Sequence, residues 1–238
     1  MTRHEKRPYV ICHILASVDG RISGPFFGEQ ATGPLVSEYA ALRPAFEADA
    51  FAYGAATVNQ LFVRDRHPEP ARVAAGQVPA GDFVRADAER YLLALDPDGT
   101  LGWTQTHVQR PGMEDARVIE LLTEQVPEET RAYFRAHDVA YIVAGTERLD
   151  LTQALERLAR DYGIERVLLQ GGGVADAMFF AEGLVDELSL VVAPVIDGSD
   201  AAQLIGATPA ELAPRPVSFS RLTVRRLGDA GLWLDYRR

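Results

Sequence analysis

The sequence has little of several features that would mark whole classes of protein. Its 238 residues include one cysteine, Cys12, so a single chain can build neither a disulfide framework nor a cysteine-based zinc site. No run of about 18 apolar residues occurs, and the charged N-terminus lacks the apolar stretch of a signal peptide. We therefore expect a soluble protein of the reducing cytoplasm.

Basic side chains are too few to balance the acidic ones. The chain carries 24 Lys and Arg against 34 Asp and Glu, a formal net charge of −10. Because this charge repels a phosphate backbone on average, we expect no nucleic-acid partner and no anionic membrane surface. The five histidines show no metal-ligand spacing and no G-x-S-x-G motif occurs, so we expect no metal centre and no serine nucleophile.

Apolar residues make up 47% of the chain, enough for a sizeable core. Their periodicity predicts strands and helices in alternation. Strands are expected at 9–16, 49–53, 90–95, 118–122, 139–144, 166–169 and 187–193. Helices are expected at 37–47, 127–137, 151–162 and 174–182, and a terminal hairpin at 219–225 and 232–236.

This alternation predicts one α/β domain over residues 1–238, with a doubly wound, mostly parallel sheet and an antiparallel C-terminal edge. Residues 65–88 are rich in Pro, Gly, Ala and charge and lack periodicity, so they predict an inserted loop.

The glycines at 171–173 follow a predicted strand and open a predicted helix. Successive glycines let backbone N–H groups approach an anion, and the helix start adds partial positive charge, so a pyrophosphate would fit there. The alternative is a tight turn without a ligand. The stretch matches neither G-x-G-x-x-G nor a P-loop, so nucleotide hydrolysis is not expected.

Two further strand ends are candidates. Gly54 permits close approach and the Thr57 hydroxyl can bond a phosphate, although Thr57 could equally be a helix cap. Asp19 could bind a polar substrate or transfer a proton, although Asp-Gly is common as a plain turn. We expect His13 and Cys12, both in the first strand, to be core residues. Without an evident nucleophile or metal cluster, the residues favour a reaction whose difficult step belongs to a cofactor.

Taken in order, four motifs resemble the pyrimidine reductase domain of riboflavin biosynthesis, a branch of the dihydrofolate-reductase-like superfamily. They are Ala-Ser-x-Asp-Gly-Arg at 16–21, Gly-x-x-Thr-Val at 54–58, the glycines at 171–173, and Gly-Leu-x-Asp-Glu-Leu at 183–188 before Ala193-Pro194. Family members fused to a zinc deaminase need cysteine ligands that this chain lacks, so the resemblance implies a stand-alone reductase.

The resemblance implies NADPH-dependent hydride transfer to a C=N-type carbon of a phosphorylated ribosylaminopyrimidine. NADH stays open, because the turn at 96–99 offers no arginine for a 2′-phosphate. Asp19 is implied near the reacting ring as the catalytic residue. The implied cofactor-binding residues are Ala16, Thr57, Pro97, Gly171, Gly172, Gly173 and Val174, and the implied substrate-binding residues are Ser17, Arg43, Arg64 and Gln170. A homodimer is also implied.

Two positions depart from the family pattern. Leu61 and Gln170 stand where family members usually carry acids, and both changes fall on the substrate side. Two alternatives therefore stay open: a pterin or dihydrofolate-type reductase, and a non-catalytic nucleotide-binding member of the same fold.

Overall fold

The computed structural model describes residues 7–69, 74, 76–110, 113–205 and 216–238. Within these ranges the strands are β1 (Tyr9–Ser17), β2 (Ala50–Gly54), β3 (Tyr91–Leu95), β4 (His107–Arg110), β5 (Met113–Leu122), β6 (Ala140–Val143), β7 (Arg166–Leu169), β8 (Glu187–Ala193), β9 (Arg221–Leu227) and β10 (Gly231–Arg237). The α-helices are α1 (Gly33–Leu42), α2 (Ala55–Val58), α3 (Glu128–Ala136), α4 (Leu151–Tyr162) and α5 (Gly173–Ala181). None of these helices is long and apolar enough to cross a membrane.

The chain divides into two compact units. Unit 1 consists of Met1–Pro8 and Asp49–Glu165, and unit 2 consists of Tyr9–Ala48 and Arg166–Arg238. A single domain over residues 1–238 stays a prediction.

The sheet of unit 1 is centred on β5. Strands β2, β3 and β5 run parallel, in that order. The other edge of β5 is shared, with β4 antiparallel along its first half and β6 parallel along its second half. All five residues of β3 are buried, as expected for an apolar strand without alternation.

The sheet of unit 2 has the order β7-β1-β8-β10-β9. Strands β7, β1 and β8 are parallel, whereas β10 and β9 add an antiparallel edge. Eight of the nine residues of β1 are buried. The predicted α/β class, mostly parallel with an antiparallel C-terminal edge, is confirmed.

Capping residues in the sequence predicted the bounds of some elements correctly. Helix α4 spans the predicted residues, because Asp150 caps it by accepting a hydrogen bond from the Gln153 N–H at 2.9 Å and Gly163 ends it at φ +67°. The helix expected at 37–47 was wrong in its bounds. It begins at Gly33, where Pro34 is tolerated in the first turn, and ends at Leu42 because Pro44 requires a new turn at Arg43–Phe46.

The segment expected as an inserted loop has no strand or helix among its described residues. It is nevertheless anchored to unit 1. Phe83 exchanges two backbone hydrogen bonds with Tyr141, of 2.8 and 3.1 Å, and Asp82 accepts hydrogen bonds from Arg157 and from the Val143 N–H, both at 2.9 Å. Residues 70–73 and 75 lie outside the described part.

Candidate functional site

The glycine turn of unit 2 joins β7 to α5. Gly171 has φ +89°, a conformation that L-residues rarely adopt, and the peptide bond between Gly171 and Gly172 is cis. Gly172 is the N-cap of α5, and Gly173 begins the helix. Val174 follows with 54% of its surface exposed. Gly171 and Gly173 are buried and Gly172 is half-buried, so Val174 is the exposed residue at the start of this nine-residue helix, where the first N–H groups have no carbonyl partner within the helix.

A buried carboxyl lies beneath this turn. Asp176, in the first turn of α5, has no exposed surface, and a Cβ on Gly171 would lie 3.8 Å from its Oδ2. Apart from the weak donor of the Cys12 thiol, neither oxygen has a hydrogen-bond partner among the described residues. Burial raises the pKa of Asp176 well above its usual range. The sequence patterns did not single out Asp176; a lone acid in an apolar helix was the available signal.

Cys12 and His13 are core residues, as predicted. Cys12 is a buried free thiol, and burial raises its pKa. His13 is fully buried, with Nε2 donating to the Tyr39 carbonyl at 2.9 Å and Nδ1 3.0 Å from the Ser189 hydroxyl. Burial lowers the pKa of His13 to about 4, so its ring is neutral near pH 7.

Ala16 and Ser17 end β1, and the turn that follows is tied to a second loop through Asp19. The Ser17 hydroxyl donates to Asp19 Oδ1 at 2.6 Å, and the backbone N–H groups of Asp197 and Gly198 donate to the same carboxylate at 2.9 and 3.0 Å. These donors hold the pKa of Asp19 below its usual range, and the Ser17 hydroxyl has the largest effect. Asp19 is thus an ionised acceptor near neutral pH and has no proton to donate.

The structure brings two of the predicted substrate-side residues together around Tyr39, a residue of α1. Gln170, 8% exposed, donates from Nε2 to the Tyr39 hydroxyl at 2.9 Å, and the guanidinium carbon of Arg43 lies 5.0 Å from the centre of the Tyr39 ring. Sequence reasoning missed Tyr39. Its spacing of four residues before Arg43 on a predicted helix was the signal that could have found it.

The candidate residues of unit 1 lie at the ends of β2 and β3. Thr57 is within α2, whose N-cap is Gly54, so the alternative that Thr57 caps the helix was wrong. Pro97 lies in the turn after β3, where its carbonyl accepts hydrogen bonds from the Thr123 hydroxyl at 2.8 Å and the Thr123 N–H at 3.1 Å.

A buried acid, Asp96, stabilises the turn after β3 that contains Pro97. Asp96, 1% exposed, accepts hydrogen bonds from the Thr100 hydroxyl and the Leu101 N–H, both at 2.9 Å. The neighbouring Glu120 is fully buried and accepts a hydrogen bond from the Trp103 indole. Burial, and then the charge of Asp96, raise the pKa of Glu120 well above its usual range.

Arg64, also a residue of unit 1, has the left-handed conformation at φ +57°. It follows a wide turn at Asn59–Val63, and the Asn59 side chain closes the segment with two hydrogen bonds to Asp65, of 2.7 and 2.8 Å. The Arg64 side chain is exposed. Leu61, where the family usually has an acid, is half-buried in this segment.

Unit 1 also contains an open cleft of about 510 Å³ that none of the predicted site residues lines. The polar residues that line it are Arg66, His67, Glu69, Thr104, Tyr133 and His137. Among the described residues no group of three potential metal ligands is found.

Comparison with known proteins places the chain among related sequences. The family model of the RibD C-terminal domain matches residues 8–227. The chain is 31% identical over 201 residues to a 2,5-diamino-6-ribosylamino-4(3H)-pyrimidinone 5′-phosphate reductase of Methanothermobacter thermautotrophicus, covering 84% of each chain. It is 28% identical over 197 residues to the reductase of the same name from Archaeoglobus fulgidus, covering 81% of this chain and 83% of the relative.

Solved structures show the same fold. A pyrimidine reductase-like protein from Corynebacterium diphtheriae matches with a TM-score of 0.62 at 18% identity, covering 98% of this chain and 93% of that one. The riboflavin biosynthesis reductase Rib7 of Saccharomyces cerevisiae matches with a TM-score of 0.60 at 16% identity, covering 100% of this chain and 92% of that one. The resemblance stated from the four motifs is confirmed.

Proposed function

The chain belongs to the RibD C-terminal domain family, and from this membership we propose that it is a nicotinamide-dependent reductase of a phosphorylated ribosylaminopyrimidine. The observation that carries the proposal is the match of the family model over residues 8–227, joined to two relatives that are both named as pyrimidinone 5′-phosphate reductases. The bound dinucleotide supplies a hydride for a C=N-type carbon, and the protein supplies binding and orientation.

The geometry of the glycine turn fits the pyrophosphate of a dinucleotide. Gly171 has a backbone conformation that glycine adopts without strain, and the start of α5 offers N–H groups together with the positive end of the helix dipole. We assign the turn at 171–174 and Ala16 in unit 2, and Thr57 and Pro97 in unit 1, to cofactor binding. NADPH is the proposed cofactor, and the experiment must compare its binding with that of NADH.

On the substrate side we assign Ser17, Arg43, Arg64 and Gln170. A guanidinium can hold a phosphate through two hydrogen bonds, which suits Arg43 and Arg64 to a 5′-phosphate. We propose that Asp19 lies near the reacting ring as an ionised carboxylate. Since its three donors favour the charged form, its role is to orient a positive or hydrogen-bond-donating part of the substrate rather than to deliver a proton.

The test uses the purified protein. Titration calorimetry with NADPH and NADH measures cofactor binding, and NADPH oxidation is then followed with the ribosylaminopyrimidinone 5′-phosphate and, separately, with dihydrofolate. We expect the protein to bind NADPH, and to oxidise it with the pyrimidinone phosphate but not with dihydrofolate. Turnover of dihydrofolate would identify a folate-type reductase, and cofactor binding without turnover of either would identify a non-catalytic member. Absence of binding by both cofactors would refute the proposal.

We further propose that the protein is a homodimer, because unit 2 exposes an apolar sheet face. Residues directly opposite each other on antiparallel strands share a face, and on β8, β10 and β9 the residues of this face are half-buried or exposed. Eight of them are apolar or aromatic, and the ninth is Arg226, which lies opposite Leu232; the eight are Leu188, Leu190, Val192, Leu222, Val224, Leu232, Leu234 and Tyr236. Val224 and Leu222 are 56% and 51% exposed. The other face carries the polar residues Glu187, Ser189 and Asp235, which are buried.

Light scattering after gel filtration tests the dimer. Val224→Lys places a charge on the apolar face and should give a monomer, whereas Thr223→Lys, on the opposite face of the same strand, should leave the dimer intact. A monomeric wild-type protein, or a dimer unaffected by Val224→Lys, contradicts the proposed interface. A single buried thiol is also consistent with the proposed reducing, cytoplasmic location.

A further inference from the structure

The substrate side of unit 2 is organised around the half-buried ring of Tyr39. The ring stacks on His13 with centroids 4.2 Å apart and planes 13° from parallel, and the guanidinium carbon of Arg43 lies 5.0 Å from the same centroid. The Tyr39 hydroxyl accepts a hydrogen bond from Gln170 and donates one to the His13 carbonyl at 3.1 Å. Two residues assigned to the substrate therefore share one aromatic support.

We propose that Tyr39 is the positioning residue of the substrate site, holding the Gln170 amide by its hydroxyl and the Arg43 guanidinium by its ring face. This inference rests on the proposed function, which assigns Gln170 and Arg43 to the substrate. It adds a residue that the family resemblance did not imply and explains how this chain's own substitution at position 170 is accommodated.

The support beneath Tyr39 is rigid. His13 is fully buried in β1, and its two ring nitrogens are engaged by the Tyr39 carbonyl and the Ser189 hydroxyl, which also accepts a hydrogen bond from the Trp233 indole at 2.8 Å. The Tyr39 ring cannot tilt without breaking this stack. A fixed ring fixes the direction of its hydroxyl, and hence the orientation of the amide bonded to it.

Hydrogen-bond direction matches glutamine, rather than glutamate, to Tyr39. The tyrosine hydroxyl has a single proton, which it donates to the His13 carbonyl, and it accepts the proton of the Gln170 amide. An ionised glutamate at position 170 has no proton to donate. Tyr39 would then stand between two acceptors with one proton, and one of them would lose its bond. The amide at 170 is therefore the partner that completes this chain of donors.

The second function of the ring concerns the phosphate. A guanidinium over an aromatic face is attracted by the ring quadrupole and loses freedom of movement, which prepares it for a bidentate anion. Arg43 is half-buried, and its Nε has no hydrogen-bond partner among the described residues. The Tyr39 ring is thus a main restraint on where Arg43 points its remaining N–H groups.

The experiment measures equilibrium binding of the pyrimidinone 5′-phosphate and of its dephosphorylated form to the protein loaded with NADP⁺, where no turnover takes place. Tyr39→Phe removes the hydroxyl and should weaken both ligands about three- to tenfold, the effect of one net hydrogen bond. Tyr39→Leu also removes the ring and should weaken the phosphorylated ligand a further two- to fivefold, roughly the size of one cation–π contact, while adding nothing for the dephosphorylated ligand.

Matched variants separate positioning from folding. Tyr133→Phe removes a tyrosine hydroxyl of unit 1, which donates to the Trp103 carbonyl at 2.7 Å, and should leave both affinities unchanged. Gln170→Glu should weaken both ligands about tenfold, since it leaves a buried acceptor unpaired. The NADPH affinity of every variant should equal that of the wild type.

Each outcome bears on one claim. Wild-type affinity in Tyr39→Phe, equal losses for both ligands in Tyr39→Leu, or tighter binding in Gln170→Glu overturns the inference. Binding of the phosphorylated ligand without NADPH oxidation overturns the proposed reaction but leaves the role of Tyr39 to be decided by the same affinities. Failure of the wild type to bind either ligand overturns both.

Discussion

Two of the turns proposed to bind the cofactor are built in different ways. In unit 2 the turn at 171–173 depends on glycine, because Gly171 has φ +89°, and it lies over the buried carboxyl of Asp176. In unit 1 the turn that leads into Thr57 begins at Gly54 with φ −69° and ψ 152°, an extended conformation open to any residue. We therefore propose that the first turn binds the cofactor through its backbone and the second through the Thr57 hydroxyl.

This difference separates the kinds of mutation that each turn tolerates. A turn that binds through its backbone is sensitive to any added Cβ and to charge beneath it. A turn that binds through a side chain is sensitive to loss of one hydroxyl. Three predictions examine this contrast, in order of decreasing expected effect.

The largest effect is expected from the pH dependence of stability in Asp176→Asn. The folded wild type keeps the Asp176 proton at pH values where the unfolded carboxyl has released it, because burial raises its pKa. Wild-type stability is therefore lost as pH rises above about 4 towards the raised pKa, by at most about 1.4 kcal/mol per pH unit. The variant lacks this loss, so its stability relative to the wild type should increase with pH.

Denaturant unfolding across the range from about pH 5 to about pH 8 measures this trend. Asp98→Asn, at an exposed position in the turn after β3, serves as the control. If the difference between Asp176→Asn and the wild type is the same at every pH, the turn does not lie over a protonated carboxyl and this part of the contrast is wrong.

A smaller effect is expected from Gly171→Ala. Placing an L-residue at φ +89° costs roughly 1–2 kcal/mol, and NADPH binding should weaken about tenfold as the turn shifts. Gly54→Ala introduces no such backbone strain, and its effect on NADPH affinity should be smaller. Thermal unfolding and calorimetry with NADPH measure both quantities.

Gly33→Ala is the matched control for alanine in unit 2, since a Cβ there meets no atom within 4 Å. Equal losses of NADPH affinity in Gly171→Ala and Gly54→Ala would remove the distinction between the two turns.

The smallest effect is expected from Thr57→Val, which keeps the shape of the side chain and removes its hydroxyl. NADPH affinity should fall about three- to tenfold with little change in stability, consistent with one hydrogen bond to the ligand. Thr146→Val, at an exposed position of unit 1, should leave the affinity unchanged. Unaltered affinity in Thr57→Val would show that this turn, too, acts through its backbone.

Sequence patterns predicted elements with strong local signals. Strand β1 is an almost continuous apolar run, and α4 has apolar spacing, an Asp150 cap and a terminating glycine, so both were correctly located. Strand β4 was missed, because His107–Arg110 is polar and only pairing with β5 makes it a strand. Its conformation depends on long-range hydrogen bonds that local composition does not encode.

The candidate site follows the same division. The glycine turn was visible because it combines three glycines with a following helix, and its left-handed backbone matches that pattern. Tyr39 and Asp176 were not, since each has a contact with a residue more than a hundred positions away that local spacing cannot show: Gln170 for Tyr39 and Cys12 for Asp176. Donor direction and burial belong to the folded protein, and periodicity reports neither.

The sequence contains two tryptophans, and they fall one in each unit. Trp103 is fully buried in unit 1 and donates to Glu120, whereas Trp233 is half-buried in unit 2 beneath the Arg225 guanidinium, 4.7 Å from its ring centre. Intrinsic fluorescence therefore has two sources. The indole in unit 1 emits at shorter wavelength, and the indole in unit 2 lies in a more polar environment. Replacing either indole with phenylalanine leaves a spectroscopic reporter that follows the melting of one unit alone.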